Sequence, residues 1–572
     1  MTPGRAAGAT SLARRCIDAC RDGAARWRPG RQNVLARLDR YDFAAVLLFG
    51  ALLALIVFTV GDYAISNDEE VQQRYGELIV GYYASGFADQ AVFHFKNLYL
   101  YGGLFDIVAV GLEKLIPLDP YVVRHILSAL TGVGGIGAAW ATARTIGGPR
   151  AGLLAAAALA VCGIWYGAMF NHTKDIPFAA AMMGAVYLLV RIGRELPRPR
   201  WHLVVLLGLL CGCALGIRVL GLFLIGYALL VVAIQAPLRT WRGTLAFAGR
   251  AAFPLATAFV IAYAIMIAAW PWAGLAPFNP LRAMFEFAQF HYPINTVLDG
   301  QVYRMADVPR WYVPTYLVIK LTLSLLVGAC LALALAILPQ HSAVATKNAW
   351  RKETAFVAFA ALFPLICDVA LRGPADSGMR HFLFIVPPIA VLAGIGLNGT
   401  LSRLEVASRL AGAGALALVL LGLGWNVTTL YRLHPDEYLF FNPLVGGLEG
   451  ASRRYATDYW VNIMPEAVGD LERFLDHTER LSDKRRPRRP YQVLVCGERL
   501  PFEKEADDRL EWTRDWARAD FFIAPTHMNC DRAVDGRVVA TIERLGVVIG
   551  VVKDRRALIR PNLAQSMVSG RN

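Results

Sequence analysis

The feature that most restricts this sequence is the arrangement of its apolar residues in long unbroken blocks. About 20 apolar residues in a helix cross the roughly 30 Å hydrocarbon core of a bilayer. Nine blocks approach or exceed that length, at residues 43–60, 121–146, 153–170, 176–192, 253–270, 316–338, 354–371, 382–397 and 410–425. Such blocks, in a chain that is 56% hydrophobic, predict a polytopic membrane protein and exclude a large soluble core.

One further block, residues 201–236, is too long for a single crossing. As one helix it would measure about 54 Å at 1.5 Å per residue. We expect a tight hairpin of two helices with its turn at Gly216-Ile217-Arg218. The predicted fold is therefore an α-helical polytopic membrane protein with about 11 transmembrane helices.

The positive charges lie in short segments between the apolar blocks. With the amino terminus inside, every predicted cytoplasmic loop is basic, as the positive-inside rule requires. The formal net charge of +14 is therefore better explained by membrane topology than by nucleic-acid binding. Residues 1–41 hold nine arginines and no signal-peptide core, which predicts a basic cytoplasmic tail. The loop residues are Arg144 and Arg150; Arg191, Arg194, Arg198 and Arg200; Arg239, Arg242 and Arg250; Lys347, Arg351 and Lys352; and Arg403 and Arg409.

The same topology places the unusual polar segments together on the opposite face. They are residues 67–70, 171–175, 271–314 and 372–381, with Arg218. Residues 67–117 are half-polar and rich in Tyr and Phe, which predicts an external loop with interfacial helices. We therefore assign residues 42–425 to a transmembrane catalytic domain and look for chemistry on its outer face.

Residues 426–572 are polar and predict a small α/β domain outside the membrane, on the same outer face. Short strands are expected at residues 491–496 and 520–524, and strand structure within 538–552. Cys496 and Cys530 are the two cysteines of this domain. Two alternatives stay open from the sequence: the two cysteines pair in an oxidising compartment, or they are separate thiols.

The acidic run Asn67-Asp68-Glu69-Glu70 follows the first apolar block closely. Asn67 and Asp68 are also good helix-capping residues, which is the simpler interpretation. Carboxylates at a membrane boundary need water, a cation or a reacting proton as partners. Together with the other polar segments on this face, the run favours Asp68 or Glu69 as a general base that accepts a proton from a hydroxyl.

Several charged side chains are predicted near the same surface. Each cation alone is commonly an interfacial anchor. Together they are suited to hold a phosphate and to stabilise the charge on a leaving phosphate. Asp175 either caps the following span or supports the site. The candidate substrate-binding residues are Arg74, Lys174, Asp175, Arg218, Arg372, Arg380 and His381.

The order of these motifs resembles a known family. Asp68-Glu69, followed by residues 74–77, is similar to the acidic first-external-loop motif of GT-C glycosyltransferases. Residues 144–150 with 171–177 resemble the third and fourth spans, and residues 380–388 resemble the start of a late span. The resemblance, over about residues 43–397, is to bacterial members that use polyprenyl-phosphate sugars: protein O-mannosyltransferases and lipid A aminoarabinose transferases.

The resemblance implies an inverting hexosyl or pentosyl transferase of GT-C-like fold with Asp68 as its catalytic base. The donor would be a polyprenyl-phosphate-linked sugar, and the acceptor a lipid, glycan or protein on the periplasmic face of a bacterial inner membrane. No cofactor is required, although a divalent cation is possible. The alternative is a polytopic transporter of a lipid-linked or small anionic substrate. Transporters usually have two related halves, which this sequence does not show.

Overall fold

The computed structural model describes residues 39–171, 173–237, 240–288, 293–338, 344–373, 375–482 and 489–558. The predicted basic tail, up to residue 38, lies outside the described residues. His172 and Arg239 lie outside them too.

Long apolar helices dominate the described chain. Seven are long and apolar enough to cross a membrane, at Arg40–Asp62, Pro120–Gly147, Asp175–Gly193, Trp241–Ala269, Asn348–Leu371, Arg380–Ala407 and Arg409–Leu433. Two bent pairs raise this number to nine, at Pro149–Ala160 with Gly163–Asn171 and at Tyr312–Lys320 with Leu323–Ile337. The chain is therefore a multi-pass membrane protein. The predicted eleven spans are reached only if the shorter helices Trp201–Leu215 and Val219–Gln235 also cross.

Local sequence signals explain where these helices begin. Asp119 accepts a hydrogen bond from the Tyr121 backbone N–H at 2.9 Å, and Pro120 occupies the first helical position. Thr240 and Ser408 cap two other long helices with their hydroxyls. The turn predicted at residues 216–218 separates the two shorter apolar helices, as expected.

The segment that follows the last long helix packs against both bent spans. The axes bend by 69° after Ala160 and by 110° after Lys320. At the second bend, the side-chain amide of Asn442 donates to the carbonyls of Val318 and Leu321 at 2.6 and 2.8 Å. Backbone groups freed by a break need such partners inside a membrane protein.

The first bend accommodates the same segment by close backbone approach. A Cβ at Gly167 would lie 2.3 Å from the backbone nitrogen of Tyr438, and one at Gly163 would lie 2.6 Å from the Glu437 carbonyl oxygen. Glycine alone allows this approach. Residues 437–442 therefore pack against both breaks, which apolar patterning did not predict.

Shorter elements surround the outer polar segments. The helix Glu69–Ala84 packs on the helix Leu104–Glu113. The loop after Trp270 contains the helices Pro271–Leu275 and Asn279–Ala288, then strands β1 (Asn295–Leu298) and β2 (Gln301–Arg304), which pair antiparallel.

The carboxyl-terminal part forms a five-stranded mixed sheet. Its strands are β3 (Tyr491–Val495), β4 (Leu510–Trp512), β5 (Phe521–Pro525), β6 (Arg537–Arg544) and β7 (Val547–Asp554), in the order β4-β3-β5-β7-β6. Strand β3 runs parallel to β4 and β5, and β7 runs antiparallel to β5 and β6. The helices Gly447–Ala451, Met464–Ser482 and Arg499–Glu505 belong to this part of the chain.

The sequence predictions for this region are met in most respects. The first two predicted strands coincide with β3 and β5, and residues 538–552 form a hairpin that turns at Leu545 and Gly546, both with positive φ. Cys496 and Cys530 form a disulfide, which decides between the two alternatives left by the sequence.

Candidate active site

Asp68 immediately precedes the helix Glu69–Ala84 and has a left-handed backbone, with φ of 78°. This region is uncommon for residues other than glycine, although aspartate enters it more easily than most. The Asp68 side chain remains 47% exposed. Its carboxylate is therefore held at a defined position but stays open to a bound molecule.

Arg380 is the direct partner of Asp68. It begins the turn Arg380–Ile385, and its Nη1 and Nη2 lie 3.3 and 3.4 Å from Asp68 Oδ2. The guanidinium also stacks 4.6 Å above the Trp460 ring, and its Nε donates to His381 Nε2 at 3.0 Å. The structure thus joins the predicted base and a predicted phosphate-binding arginine across 312 residues of sequence.

A second carboxylate, that of Asp376, lies near His381. Its Oδ1 lies 3.9 Å from His381 Nε2, and the Ser377 hydroxyl donates to its Oδ2 at 2.9 Å. Burial raises the pKa of Asp376, but the nearby His381 and Arg380 outweigh burial and lower it overall. Asp376 lies within the predicted polar segment 372–381, but no pattern in that segment distinguished this aspartate from an ordinary loop residue.

Lys174 is buried close to this pair. Its ammonium lies 4.6 Å from the centroid of the Tyr101 ring, and the residue is 7% exposed. Burial lowers the pKa of Lys174, while the carboxylates of Asp106 and Asp68 act in the opposite direction. A buried cation within the electrostatic reach of Asp68 is consistent with its predicted place in an anion site.

Arg218 and Asp175 form an ion pair. Burial raises the pKa of Tyr101 to about 12, opposed first by the charge of Arg218 and then by that of Arg380. Both arginines therefore act electrostatically on Tyr101. Asp175 is the first residue of its helix, Asp175–Gly193, and the N-cap position is held by Lys174. Of the two sequence interpretations, the capping role is therefore wrong, whereas the ion pair with Arg218 agrees with a supporting role in the site.

Glu69, the second predicted catalytic residue, has a different environment. Its carboxylate accepts the Ser66 backbone N–H at 2.9 Å and the Ser66 hydroxyl at 2.6 Å. On its other side it lies 3.0 Å from His125 Nε2, and the Glu69 side chain is 1% exposed. The carboxylate is fully enclosed and has no open approach for a substrate hydroxyl.

Arg74 and Arg372 are not brought into the cluster. Arg74 forms an exposed ion pair with Glu77 at 2.8 Å. Arg372 is exposed at the end of the helix Val344–Leu371, and no ion pair to it exists among the residues that the structure describes. The structure therefore gathers Asp68, Lys174, Asp175, Arg218, Arg380 and His381, and separates these two arginines from them.

The carboxyl-terminal region supplies further residues that sequence reasoning missed. The Asn67 backbone N–H donates to the Trp460 carbonyl at 3.2 Å, and the Asn67 amide donates to the Tyr459 carbonyl at 3.4 Å. The Glu498 backbone N–H donates to Asn67 Oδ1 at 3.3 Å. No local pattern signals contacts between residues nearly 400 positions apart or more.

Metal-binding groups are not clustered in this site. Within the described ranges, no three or more His, Cys, Asp or Glu side chains are arranged to hold a metal ion. The possible divalent cation stays a prediction.

Comparison with known proteins gives a family for part of the chain. Residues 119–272 match the family described as dolichyl-phosphate-mannose-protein mannosyltransferase. This segment carries Lys174, Asp175 and Arg218 of the cluster. No curated protein sequence matches the chain.

Three solved structures show partial similarity. ArnT from Cupriavidus metallidurans bound to undecaprenyl phosphate has a TM-score of 0.48 and 15% identity, covering 89% of this chain and 98% of its own. AglB from Archaeoglobus fulgidus, in complex with an inhibitory peptide and a dolichol-phosphate, has a TM-score of 0.44 and 11% identity, covering 85% of this chain and 69% of its own. The mycobacterial arabinofuranosyltransferase AftD has a TM-score of 0.42 and 13% identity, covering 89% of this chain and 40% of its own. The predicted resemblance to protein mannosyltransferases is thus confirmed by the family match, over residues 119–272.

Proposed function

We propose that this protein is an integral-membrane, inverting glycosyltransferase. It moves a sugar from a polyprenyl-phosphate donor to a hydroxyl acceptor on the outer, periplasmic face. The observation that carries the proposal is the half-exposed Asp68 carboxylate held against Arg380, with Lys174 nearby. The mannosyltransferase family match over residues 119–272 supports the donor class.

Asp68 acts as the general base. One of its carboxylate oxygens takes the proton of the acceptor hydroxyl as the acceptor oxygen forms a bond to the anomeric carbon. The bond between that carbon and the phosphate oxygen breaks, and the electron pair leaves with the polyprenyl phosphate. Attack from the side opposite the phosphate inverts the anomeric centre. Such a base contributes about 10²–10⁴-fold in rate.

The cations hold the donor phosphate and stabilise the charge that it gains. Arg380 offers two N–H groups in a planar fork, suited to two phosphate oxygens. Lys174 and Arg218 add positive charge around Tyr101. Asp175 and Asp376 balance these cations, because a dense cluster of buried positive charge is costly without counter-charges.

Glu69 supports the site without touching the substrate. Its bonds to Ser66 and His125 tie the loop before Asp68 to the helix Pro120–Gly147. We assign it a positioning role in place of the catalytic role predicted from the sequence.

The proposal is tested by incubating the purified protein with radiolabelled polyprenyl-phosphate sugars, with and without membrane extract. One hexose and one pentose donor cover the two sugar classes. We expect label to leave the lipid and enter a new product only when the extract supplies an acceptor. Phase extraction and protease treatment then separate lipid, glycan and protein products. Movement of an intact donor across vesicles without transfer would favour the transporter instead.

A further inference from the structure

The Arg380 guanidinium has partners at its edges and an aromatic ring against its flat face. Its Nε donates to His381 Nε2 at 3.0 Å, and its two Nη atoms lie 3.3 and 3.4 Å from Asp68 Oδ2. The Arg380 Cζ atom lies 4.6 Å from the centroid of the Trp460 ring, which is within the range of a cation–π contact. The ring therefore restricts the plane in which the guanidinium can lie.

This contact is largely shielded from water. Trp460 is 3% exposed, and the Arg380 side chain is 17% exposed. The Tyr459 ring packs on the Trp460 ring, with 5.3 Å between the two centroids. A cation–π contact is stronger when both groups are desolvated than at an exposed site. The Trp460 ring is therefore suited to hold Arg380 in one orientation.

The backbone that carries Trp460 is bound to the loop that carries the candidate base. The Trp460 carbonyl accepts the backbone N–H of Asn67 at 3.2 Å. Two residues further along, Asn462 Oδ1 accepts the backbone N–H of Ala64 at 3.1 Å. Residues 460–462 and residues 64–67 therefore form one connected unit, and the Trp460 ring extends from this unit to Arg380.

The residue after Trp460 has a strained backbone. Val461 has a φ of 57°, which is a true outlier for a β-branched side chain. It also packs on Gly497, so closely that a Cβ there would lie 3.1 Å from Val461 Cγ1. Strain of this kind persists where the surroundings enforce it and is frequent at functional sites. The turn after Trp460 is thus kept against the intrinsic preference of its residue.

We propose that Trp460 is a positioning residue for donor binding. Its ring fixes the plane of the Arg380 guanidinium, so that the two N–H groups of the fork meet two oxygens of the donor phosphate. Such bidentate binding depends on the orientation of the plane, which a point charge does not require. The inference rests on the proposed function. It gives the chain beyond the last span a part in donor recognition.

The first test measures the affinity of the full-length protein for a polyprenyl phosphate without sugar. Trp460→Leu should bind this probe about 3–30-fold more weakly, the range expected for loss of one cation–π contact. Trp460→Phe keeps an aromatic face and should lose less. Trp512→Leu is the matched control, because Trp512 also contacts arginines, Arg499 at 5.2 Å and Arg514 at 5.1 Å, outside the cluster. It should bind the probe like the wild-type chain.

A second test separates the ring's attraction for a cation from its role in packing. Tryptophan analogues with increasing numbers of ring fluorines are incorporated at position 460. Fluorine withdraws electron density from the ring face, which weakens its attraction for a cation while the ring keeps its shape. We expect affinity for the polyprenyl phosphate to fall stepwise with the number of fluorines at position 460. The same series at position 512 should have no effect.

A double-mutant cycle shows whether Trp460 acts through Arg380. Trp460→Leu should cause no further loss of affinity in the Arg380→Ala background. The inference is overturned if the two losses multiply, if fluorination at position 460 leaves affinity unchanged, or if the Trp512 variants lose as much. These outcomes leave the proposed function intact. Failure of the wild-type chain to transfer sugar from any polyprenyl-phosphate donor would instead overturn the proposed function and this inference with it.

Discussion

The two neighbouring carboxylates Asp68 and Glu69 point into opposite surroundings. Asp68 is 47% exposed and faces Arg380, whereas Glu69 is 1% exposed and faces His125. The enclosed side continues with Arg124 and Asp106, an ion pair at 2.5 Å in which both side chains are almost completely buried. One peptide bond therefore separates an open site from a buried polar network.

The difference in exposure indicates which of the two carboxylates is available for chemistry. Buried charges need full pairing, and a carboxylate that already satisfies Ser66 and His125 has little capacity to accept a proton from a substrate. The Asp68 carboxylate, in contrast, has one ion-pair partner among the described residues, Arg380, and is open to a bound molecule. The following predictions test this division of roles, from the largest expected effect to the smallest.

Asp68→Asn should abolish most of the transfer activity. The substitution keeps the size and a hydrogen-bonding oxygen but removes the base, so kcat should fall about 10²–10⁴-fold. The thermal unfolding temperature should stay close to that of the wild-type chain. Asp299→Asn is the matched control, because Asp299 is also an exposed aspartate paired with an arginine, Arg454. Near-normal turnover of Asp68→Asn would remove Asp68 from catalysis.

Glu69→Ala should act mainly on stability. The change leaves Ser66 and His125 with unsatisfied buried polar groups, which destabilises the fold by roughly 2–5 kcal/mol. Thermal unfolding in detergent measures this loss, and Glu70→Ala, at the exposed neighbouring position, should show little. Turnover per folded molecule should fall far less than in Asp68→Asn. A stable but inactive Glu69→Ala would reverse the roles of the two carboxylates.

Arg380 should control donor binding. Arg380→Ala should weaken polyprenyl-phosphate binding by about 10–100-fold, since a hydrogen bond to a charged group contributes about 1.5–3 kcal/mol. Arg380→Lys keeps the charge but loses the planar fork, so its effect should be smaller yet clear. Acceptor affinity should hardly change. Arg372→Ala, outside the cluster, is the comparison, and an equal loss there would point to general surface charge.

The smallest effect concerns pH and His434, which lies between Glu437 and Asp62. A hydrogen bond to Glu437 at 2.8 Å, with one to Asp62 at 3.0 Å, outweighs burial and raises the pKa of His434 from 6.5 to about 9. Because the folded pKa is the higher one, this contribution to stability is complete below about pH 6.5 and disappears as pH rises through about 9. It is on the order of 1 kcal/mol after solvent screening.

Tm measured between pH 6 and pH 10 checks this expectation. The wild-type chain should lose more stability across that interval than His434→Gln, which cannot titrate. Parallel curves for the two proteins would show that His434 makes no pH-dependent contribution.

The sequence predicted what depends on local pattern. Apolar runs located the long helices, and short apolar segments within a polar region located β3 and β5. The breaks after Ala160 and Lys320 were not predicted, because residues 437–442, far along the chain, pack against them.

The site was predicted in part for the same reason. Residue type and position relative to the spans indicated Asp68, Arg380, Lys174 and Arg218, since ionisable groups at a membrane boundary are few. Glu69 differs from Asp68 because its side chain is buried. Burial depends on tertiary contacts, which the sequence pattern does not show. Asp376 lies within the predicted polar segment 372–381, and only its contact with His381 distinguishes it there.

Single-turnover transfer from bound donor tests directly whether Asp68 is the base and Arg380 a donor-binding residue. Donor affinity and the rate of the first turnover at saturating donor are measured for Asp68→Asn and Arg380→Ala side by side. We expect Asp68→Asn to bind the donor like the wild-type chain but to transfer sugar at least about 100-fold more slowly. We expect Arg380→Ala to bind the donor weakly and, once saturated, to transfer sugar at a substantially higher rate than Asp68→Asn. Weak donor binding by Asp68→Asn, with a normal transfer rate at saturation, would contradict the assignment of Asp68 as the base.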